Sequence, residues 1–244
     1  MLSKRIALVT GAGKSTGIGF ELSRQLASKG VQVLLTARSG EAAKERASTL
    51  RAEGLDVIGI GLDVADADDV ASVSKLIDAD HGRLDILINN AAGVAPYGEL
   101  AATADLDVAR NVLDATLFGA WQLIQAMLPL LRKSPHARIV NVSSGAGSHG
   151  DTAFGLTTAN GMGTSYAVAK AALNALTVKF ANEEKSNRVL INAVCPGFTA
   201  TFEGGAAMGA RPVADGAASV LWAALLEDDG PTGGFFRDGR PLAW

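Results

Sequence analysis

The chain has 244 residues, 48 % of them apolar and 19 % charged, with a formal net charge of -3. That length suits one large α/β domain over 1–244 better than two, and the slightly acidic balance leaves no basic footprint for nucleic acid or anionic lipid. No apolar run approaches the roughly 18 residues of a membrane span, and Met1 to Arg5 lacks a secretory apolar core, so a soluble cytoplasmic protein is expected.

Residues 6–9, Ile-Ala-Leu-Val, read as a strand buried on both faces of a parallel sheet. Gly11, Gly13, Gly17 and Gly19 follow, and from Phe20 the period becomes helical: Leu22 and Leu26 recur four apart and Gly30 closes the segment. Strand, glycine turn and helix together let backbone approach a ligand and aim free N–H groups and the positive dipole end at a phosphate. We read a dinucleotide pyrophosphate site; the competing reading is a turn made glycine-rich for tight packing. Gly13-Lys14-Ser15-Thr16 also resembles the end of a nucleotide-triphosphate loop, but the glycine that loop needs five positions earlier falls on Leu8.

The second strand, 31–37, ends at Arg38-Ser39. An acid at this tip would accept from a ribose 2'-hydroxyl, whereas an arginine suits a 2'-phosphate. There is no carboxylate in Thr36-Ala37-Arg38-Ser39, and Lys14 offers a second cation for the same phosphate. NADP(H) is therefore preferred over NAD(H), with a solvated loop cation as the alternative for Arg38. A polar helix over 41–53 and a third strand over 55–62 lead to Asp63-Val64, where Asp63 either accepts from an adenine amine or caps the turn. A helix over 66–80 carries Val70, Val73, Leu76 and Ile77 on one face, and a fourth strand, 84–88, runs into Asn89-Asn90-Ala91. This alternation implies right-handed crossovers and a Rossmann-like, doubly wound parallel sheet of about seven strands with helices on both faces.

A long helical pattern covers 103–131, with Pro129 and Pro135 limiting its far end. A fifth strand, 138–142, delivers Ser143-Ser144 to its carboxyl end, where open parallel sheets bind ligands. The Gly-, Ser- and Thr-rich stretch near 148–163 reads as an inserted loop over the site. Tyr166-Ala-Val-Ala-Lys170 opens the next helix, and a sixth strand, 189–194, ends in Cys195-Pro196-Gly197-Phe198-Thr199-Ala200-Thr201, a turn that leaves the sheet. A substrate-side loop lies near 198–212; within it, 202–211 is Gly- and Ala-rich and expected to be mobile. The last helix is 213–226, and Gly234-Phe235-Phe236 forms a short seventh strand. Phe154, Phe198, Phe202 and Met208 either border the cleft, favouring an apolar or aromatic ketone, or pack against their own loops.

Tyr166 and Lys170 lie one turn apart on one helix face. A free phenol has a pKa of about 10, and a neighbouring ammonium lowers it toward working pH. Cys195, the single cysteine, excludes an internal disulfide or cysteine metal cluster, and His81, His136 and His149 lack ligand spacing, so no metal site is expected.

Thr10-Gly11 with Gly17-Ile18-Gly19, Asn89-Asn90-Ala91, Ser144, Tyr166-x-x-x-Lys170, Asn192-Ala193 and Pro196-Gly197 occur in an order that resembles the short-chain dehydrogenase/reductase family over almost the whole chain. Lys14, Arg38, Phe118-Gly119 and Leu128-Pro129-Leu130-Leu131 are similar to its NADPH-dependent carbonyl reductase branch. The resemblance implies that Tyr166 is a general acid/base, that Ser144 hydrogen-bonds the substrate oxygen, and that Lys170 tunes Tyr166 and holds the nicotinamide ribose. It places Asn90 at the cofactor through its backbone turn and Thr201 at the carboxamide, with Pro196, Gly197 and Thr199 in the same turn. Gly11, Gly13, Lys14, Gly17, Ile18, Gly19, Arg38, Asp63 and Val64 complete the expected cofactor set.

Three departures stand out from the family pattern. Ser15 and Thr16 are extra residues in the glycine turn. Thr116 occupies the place of an asparagine that in the family positions a relay water, with Asn111 as a substitute if the helix register differs. Ser144 and Tyr166 are further apart than usual, an insertion that favours a monomer or a homo-oligomer, dimer over tetramer. The implied partner is a small-molecule carbonyl or alcohol. Two other readings remain open: a nucleotide-binding sensor with impaired catalysis, suggested by Thr116, and a 3-oxoacyl-carrier reductase, which would want a basic patch that the sequence does not display.

Overall fold

The computed structural model describes residues 4–96 and 98–244. Its centre is an eight-stranded sheet in the order β3-β2-β1-β4-β5-β6-β7-β8. The strands are β1 (Ile6–Val9), β2 (Gln32–Ala37), β3 (Val57–Gly61), β4 (Ile86–Asn89), β5 (Arg138–Val142), β6 (Leu190–Val194), β7 (Phe235–Arg237) and β8 (Arg240–Pro241). All neighbours pair parallel except β7 and β8. The antiparallel β8 exceeds the expected seven strands. It follows a two-residue turn in which Asp238 and Gly239 both take positive φ, +53° and +71°; Asp-Gly is the pair such hairpins favour.

Side chains alternate across each strand, so every parallel strand feeds two cores. Leu8, Leu34, Leu87, Ile139 and Ile191 face one side, where they pack with Leu123, Ile124, Leu173 and Phe180. Ala7, Val9, Val33, Leu35, Ile88 and Val140 face the other, against Leu22, Leu26, Leu50 and Val220. The first side is covered by α3 (Ala67–His81), α5 (Gly119–Leu131) and α6 (Thr164–Glu183), the second by α1 (Ile18–Ser28), α2 (Gly40–Ala52) and α7 (Val213–Ala224). On leaving β3 the chain returns to pair β4 with β1, so the strand order reverses there. A crevice at such a reversal, beyond the carboxyl ends of the strands, is where open α/β sheets hold ligands.

The long helical pattern is interrupted. It begins later than expected, as α4 (Leu106–Leu113) capped by Asp105, whose carboxylate accepts from the Asp107 amide at 2.8 Å. It passes through one wide π-turn at Asp114–Phe118 before α5. Pro129 does not end α5. Its ring costs one backbone bond, but Leu128, Leu130 and Leu131 are buried against the sheet and the Arg132 amide still reaches the Leu128 carbonyl at 2.9 Å. At the end of the 202–211 stretch, Arg211 donates from its amide to Phe198 O and its carbonyl accepts from Ala200 N, at 2.9 and 3.0 Å, and its guanidinium pairs with Asp238 at 2.9 Å. Among the described residues no helix is long and apolar enough to cross a membrane.

Gly59 shows how closely helix and sheet approach on the outer edge: a β-carbon there would collide with the Ala43 carbonyl of α2. Backbone must move to admit it, so Gly59→Ala is expected to cost roughly 1–3 kcal/mol and to lower Tm by several degrees in a calorimetric scan, with the catalytic-side geometry unaffected.

Candidate active site

The glycine turn leaves β1 at Thr10. Gly11 takes a φ of +67°, and a β-carbon there would stand 2.8 Å from Ala91 Cα; one at Gly13 would meet Ala37 Cβ at 2.8 Å, and one at Gly19 would meet Asn90 Nδ2 at 2.6 Å. Close packing and ligand access are thus the same requirement here, because the turn is pressed against the ends of β2 and β4. Gly17 is the N-cap of α1 and brings no side-chain hydrogen bond to the first turn. The leading N–H groups of α1, beside Ile18 and Gly19, are therefore available to an anion.

Asn90 locks this turn to β4. Its amide nitrogen donates to Thr10 O at 2.8 Å and Gly11 O at 3.1 Å, while Thr10 Oγ1 donates to Ile88 O and accepts from the backbone of Asn90 and Ala91, both at 3.0 Å. A hydroxyl has one donor and two acceptor sites, and all are used. The Asn90 side chain accordingly orients the turn. Beneath it, buried Asn89 donates to Asn141 at 2.8 Å, and Asn141 to Thr177 at 2.9 Å, tying β4, β5 and α6 together.

At the tip of β2, Arg38 is exposed and, among the described residues, makes no hydrogen bond or ion pair. Lys14, expected to share a phosphate with Arg38, donates to the Thr201 carbonyl, and its own carbonyl accepts from Gly17 N at 2.9 Å. Asp63 caps its own turn: its Oδ1 accepts from Ala65 N at 3.0 Å, and its amide donates to Asp69 at 2.9 Å. Val64 is buried against Gly119, where a β-carbon would stand 2.8 Å from Val64 Cγ2.

The chemistry-bearing groups gather at the carboxyl end of β5. Ser144 accepts from Ala146 N at 3.2 Å, which leaves its hydroxyl proton free to donate elsewhere. Ser143 is buried and serves structure, donating to Asn174 at 2.5 Å. Lys170 is 2 % exposed and donates to the Val142 carbonyl at 2.6 Å; its ammonium lies 5.5 Å from the centre of the Tyr166 ring. Burial pushes Lys170 down to about 8 and pushes the Tyr166 phenol up to about 12, the Ser144 hydroxyl opposing this second shift in part. Lowering of the phenol by its ammonium neighbour is the expectation; in this structure desolvation raises it, and the group that lowers it is Ser144, not Lys170.

Thr116 sits inside the π-turn, 1 % exposed, with its hydroxyl oxygen accepting from Gly93 N at 3.0 Å. Asn111 stands on the exposed face of α4 and does not replace it. Thr199 is buried and donates to Pro196 O and Gly197 O, both at 3.0 Å, so its hydroxyl shapes the turn; Thr201 presents its carbonyl to Lys14. Phe154, Phe198 and Phe202 form a row with ring centres 6.3 and 6.2 Å apart, joining the 148–163 and 198–212 segments, whereas Met208 remains 65 % exposed.

Two contributions escaped the sequence. Arg237 of β7 donates to Asp151 at 2.5 Å and to Cys195 Sγ at 3.3 Å, anchoring the inserted loop beside Ser144. Burial opposes the Asp151 charge, but the Ala153 and Phe154 amides and Arg237 hold its carboxyl below the usual range. Glu99 reaches 66 positions along the chain to the start of α6, accepting from Ser165 N at 2.7 Å and Ser165 Oγ at 2.9 Å. The N-cap of α6 is Gly163, with φ of +71° and no capping side chain, so a distant carboxylate does what a local Ser or Asp does elsewhere. No local pattern signals a cap supplied from so far away.

The family model for short chain dehydrogenases matches residues 5–207. The (-)-isopiperitenone reductase of Mentha piperita is 33% identical, with 98% of each chain covered. A 3-oxoacyl-(acyl-carrier-protein) reductase of Pseudomonas aeruginosa is 35% identical, covering 82% of this chain and 76% of its own. The NADPH-bound carbonyl reductase from chicken fatty liver superposes with a TM-score of 0.84 at 26% identity, with the whole of both chains covered.

Because Glu99 holds the turn that carries Tyr166, Glu99→Ala is expected to lower kcat about tenfold or more with a smaller change in KM, while Glu99→Gln, which retains an acceptor, recovers most of it. Steady-state kinetics on both variants checks this; equal losses would show that the acceptor is not what matters.

Proposed function

The chain belongs to the short-chain dehydrogenase family, and on that premise we propose that it is an NADPH-dependent reductase of a ketone or aldehyde, reversible, with Tyr166 as general acid/base. The observation that carries the proposal is the convergence of Ser144, Tyr166 and buried Lys170 at the carboxyl end of β5, across the crevice from a glycine turn with free helix N–H groups.

The residues present fit a nicotinamide dinucleotide. The positions where a β-carbon would collide, Gly11, Gly13 and Gly19, keep the turn flush with the strand ends, and the uncapped start of α1 supplies donors for phosphate oxygens. A bound NADPH supplies the hydride and its electron pair. Ser144, with its hydroxyl proton unspent, donates to the substrate carbonyl oxygen and stabilises the negative charge that develops there. Tyr166 then gives its phenolic proton to that oxygen; a phenol pushed up to about 12 is fully protonated at neutral pH and becomes a strong acceptor in the reverse direction. Lys170 is the cation nearest the tyrosine ring, and its held position on Val142 O leaves two ammonium protons for ribose hydroxyls. The row Phe154-Phe198-Phe202 borders the substrate side and favours an apolar or aromatic carbonyl. The names of the mint and chicken proteins, a reductase and an NADPH-bound carbonyl reductase, support the same assignment.

One observation favours a second reading, a nucleotide sensor with impaired turnover: the Thr116 oxygen is engaged by Gly93 N, where the family's asparagine positions a water. Brisk turnover would dispose of it.

Incubation with NADPH and a panel of aromatic and aliphatic ketones is expected to oxidise cofactor at a rate that falls about 100-fold or more in Tyr166→Phe; equal rates in both proteins would overturn the assignment. The pH profile follows from Lys170. It is charged below about 8 and neutral above, so reduction is expected to be level near neutrality and to decline as pH rises through that value, while Tyr166, up at about 12, adds no inflection there. A rate that climbs through pH 8 would contradict the role given to Lys170. Arg38→Asp is expected to raise KM for NADPH far more than for NADH, measured side by side; an unchanged preference would place 2'-phosphate recognition elsewhere.

A further inference from the structure

We propose that Arg237, on β7, is a positioning residue for substrate selection: through its ion pair with Asp151 it fixes the turn that carries Phe154, and so sets how tightly an aromatic carbonyl is held. The inference rests on the reductase reading above and adds to it a residue that lies outside every motif of the site.

The inserted loop is held at two places. Its base is bound by the tail behind β8, with Ser148 Oγ donating to Ala243 O at 2.7 Å and Gly150 N to Trp244 O at 2.9 Å. Its middle folds around Asp151. One carboxylate oxygen, Oδ1, accepts from Ala153 N at 2.9 Å and from Phe154 N at 3.1 Å, a tight turn that ends on the aromatic side chain. The other, Oδ2, accepts from Arg237 Nη2 at 2.5 Å, from 86 positions further along the chain. The Asp151 side chain is only 5 % exposed and that of Arg237 25 %, so solvent screens this pair less than an ion pair on an open helix face. A single carboxylate thus couples Phe154 to the sheet.

The same guanidinium meets the aromatic row directly. Its Cζ lies 5.9 Å from the centre of the Phe154 ring, within range of a cation–π contact, and that ring is 6.3 Å from Phe198. The pair also lies beside the catalytic turn, because a β-carbon on Gly145 would collide with Asp151 Oδ2 and stand 2.7 Å from Arg237 Nη2. Ser144 nevertheless has supports of its own. Gly147 N donates to Ser144 O at 3.1 Å, Ala146 N to Ser144 Oγ at 3.2 Å, and Gly145 N to Cys195 Sγ at 3.2 Å. Loss of the pair therefore frees Phe154 while the proton-transfer groups keep their places. Substrate affinity changes, and chemistry does not.

Steady-state kinetics on the phenyl ketone that the panel above shows to be turned over fastest compares the unmodified chain with Arg237→Met, Asp151→Asn and the double variant. Asparagine retains the Oδ1 acceptor of the turn and loses only the charge. In each variant KM for the ketone is expected to rise about five- to tenfold, with kcat and KM for NADPH within about threefold of the unmodified values. The double variant is expected to rise no further than the larger single one, because both remove the same pair. Arg237→Met alone leaves a nearly buried carboxylate without its cation; should its thermal melt show it unfolded, equal rises in Asp151→Asn and the double variant carry the test. An unchanged KM for the ketone, a fall of kcat that matches the rise in KM, a double effect equal to the product of the single ones, or a panel in which only aliphatic ketones react would each overturn the inference and leave the reductase reading standing. No oxidation of NADPH by the unmodified chain with any ketone would overturn that reading, and this inference with it.

Discussion

A buried ammonium organises this molecule. Lys170 is almost wholly withdrawn from water and donates to the carbonyl of Val142, the last residue of β5. Burial pushes Lys170 down to about 8, so withdrawal from water works against its charged state. The expense is tolerated because the bond fixes α6 against the end of the sheet. Gly147 enforces the same approach: a β-carbon there would stand 2.5 Å from Ala171 N and 2.8 Å from Lys170 Cβ. Helix and strand end are therefore held at one separation, with Tyr166 facing Ser144.

The surrounding polar network is directed at the same place. Asn89, Asn141 and Thr177 join β4, β5 and α6 through a buried chain of side-chain hydrogen bonds, and Thr10 with Asn90 fastens the glycine turn to β4. Glu99 completes the arrangement from outside by satisfying the first turn of α6. The strand ends carry this polar network, and above them the aromatic row joins the 148–163 and 198–212 loops. Such a division suits chemistry in which the protein contributes position and electrostatics.

Most of the architecture was legible because its signals are local. The β1 and β5 boundaries coincide with the apolar runs that announce them, and α3 begins where Asp66 caps it, its carboxylate accepting from Asp68 N at 2.8 Å. What escaped has nonlocal causes. The π-turn at Asp114–Phe118 lies inside the long helix, where the Thr116 hydroxyl accepts from Gly93 N of another segment.

The sequence by itself determined the order of strands and helices, the glycine turn, the spacing of Tyr166 and Lys170 on one helix face, and the family to which these belong, since each is written in neighbours a few positions apart. Only the tertiary structure decided which distant partner each polar group takes. Lys14 bonds Thr201, Asp151 finds Arg237, and Glu99 caps a helix 66 positions away. Hydrogen bonds and burial are properties of proximity in space, and a folded chain brings together atoms whose separation along the sequence carries no trace of it.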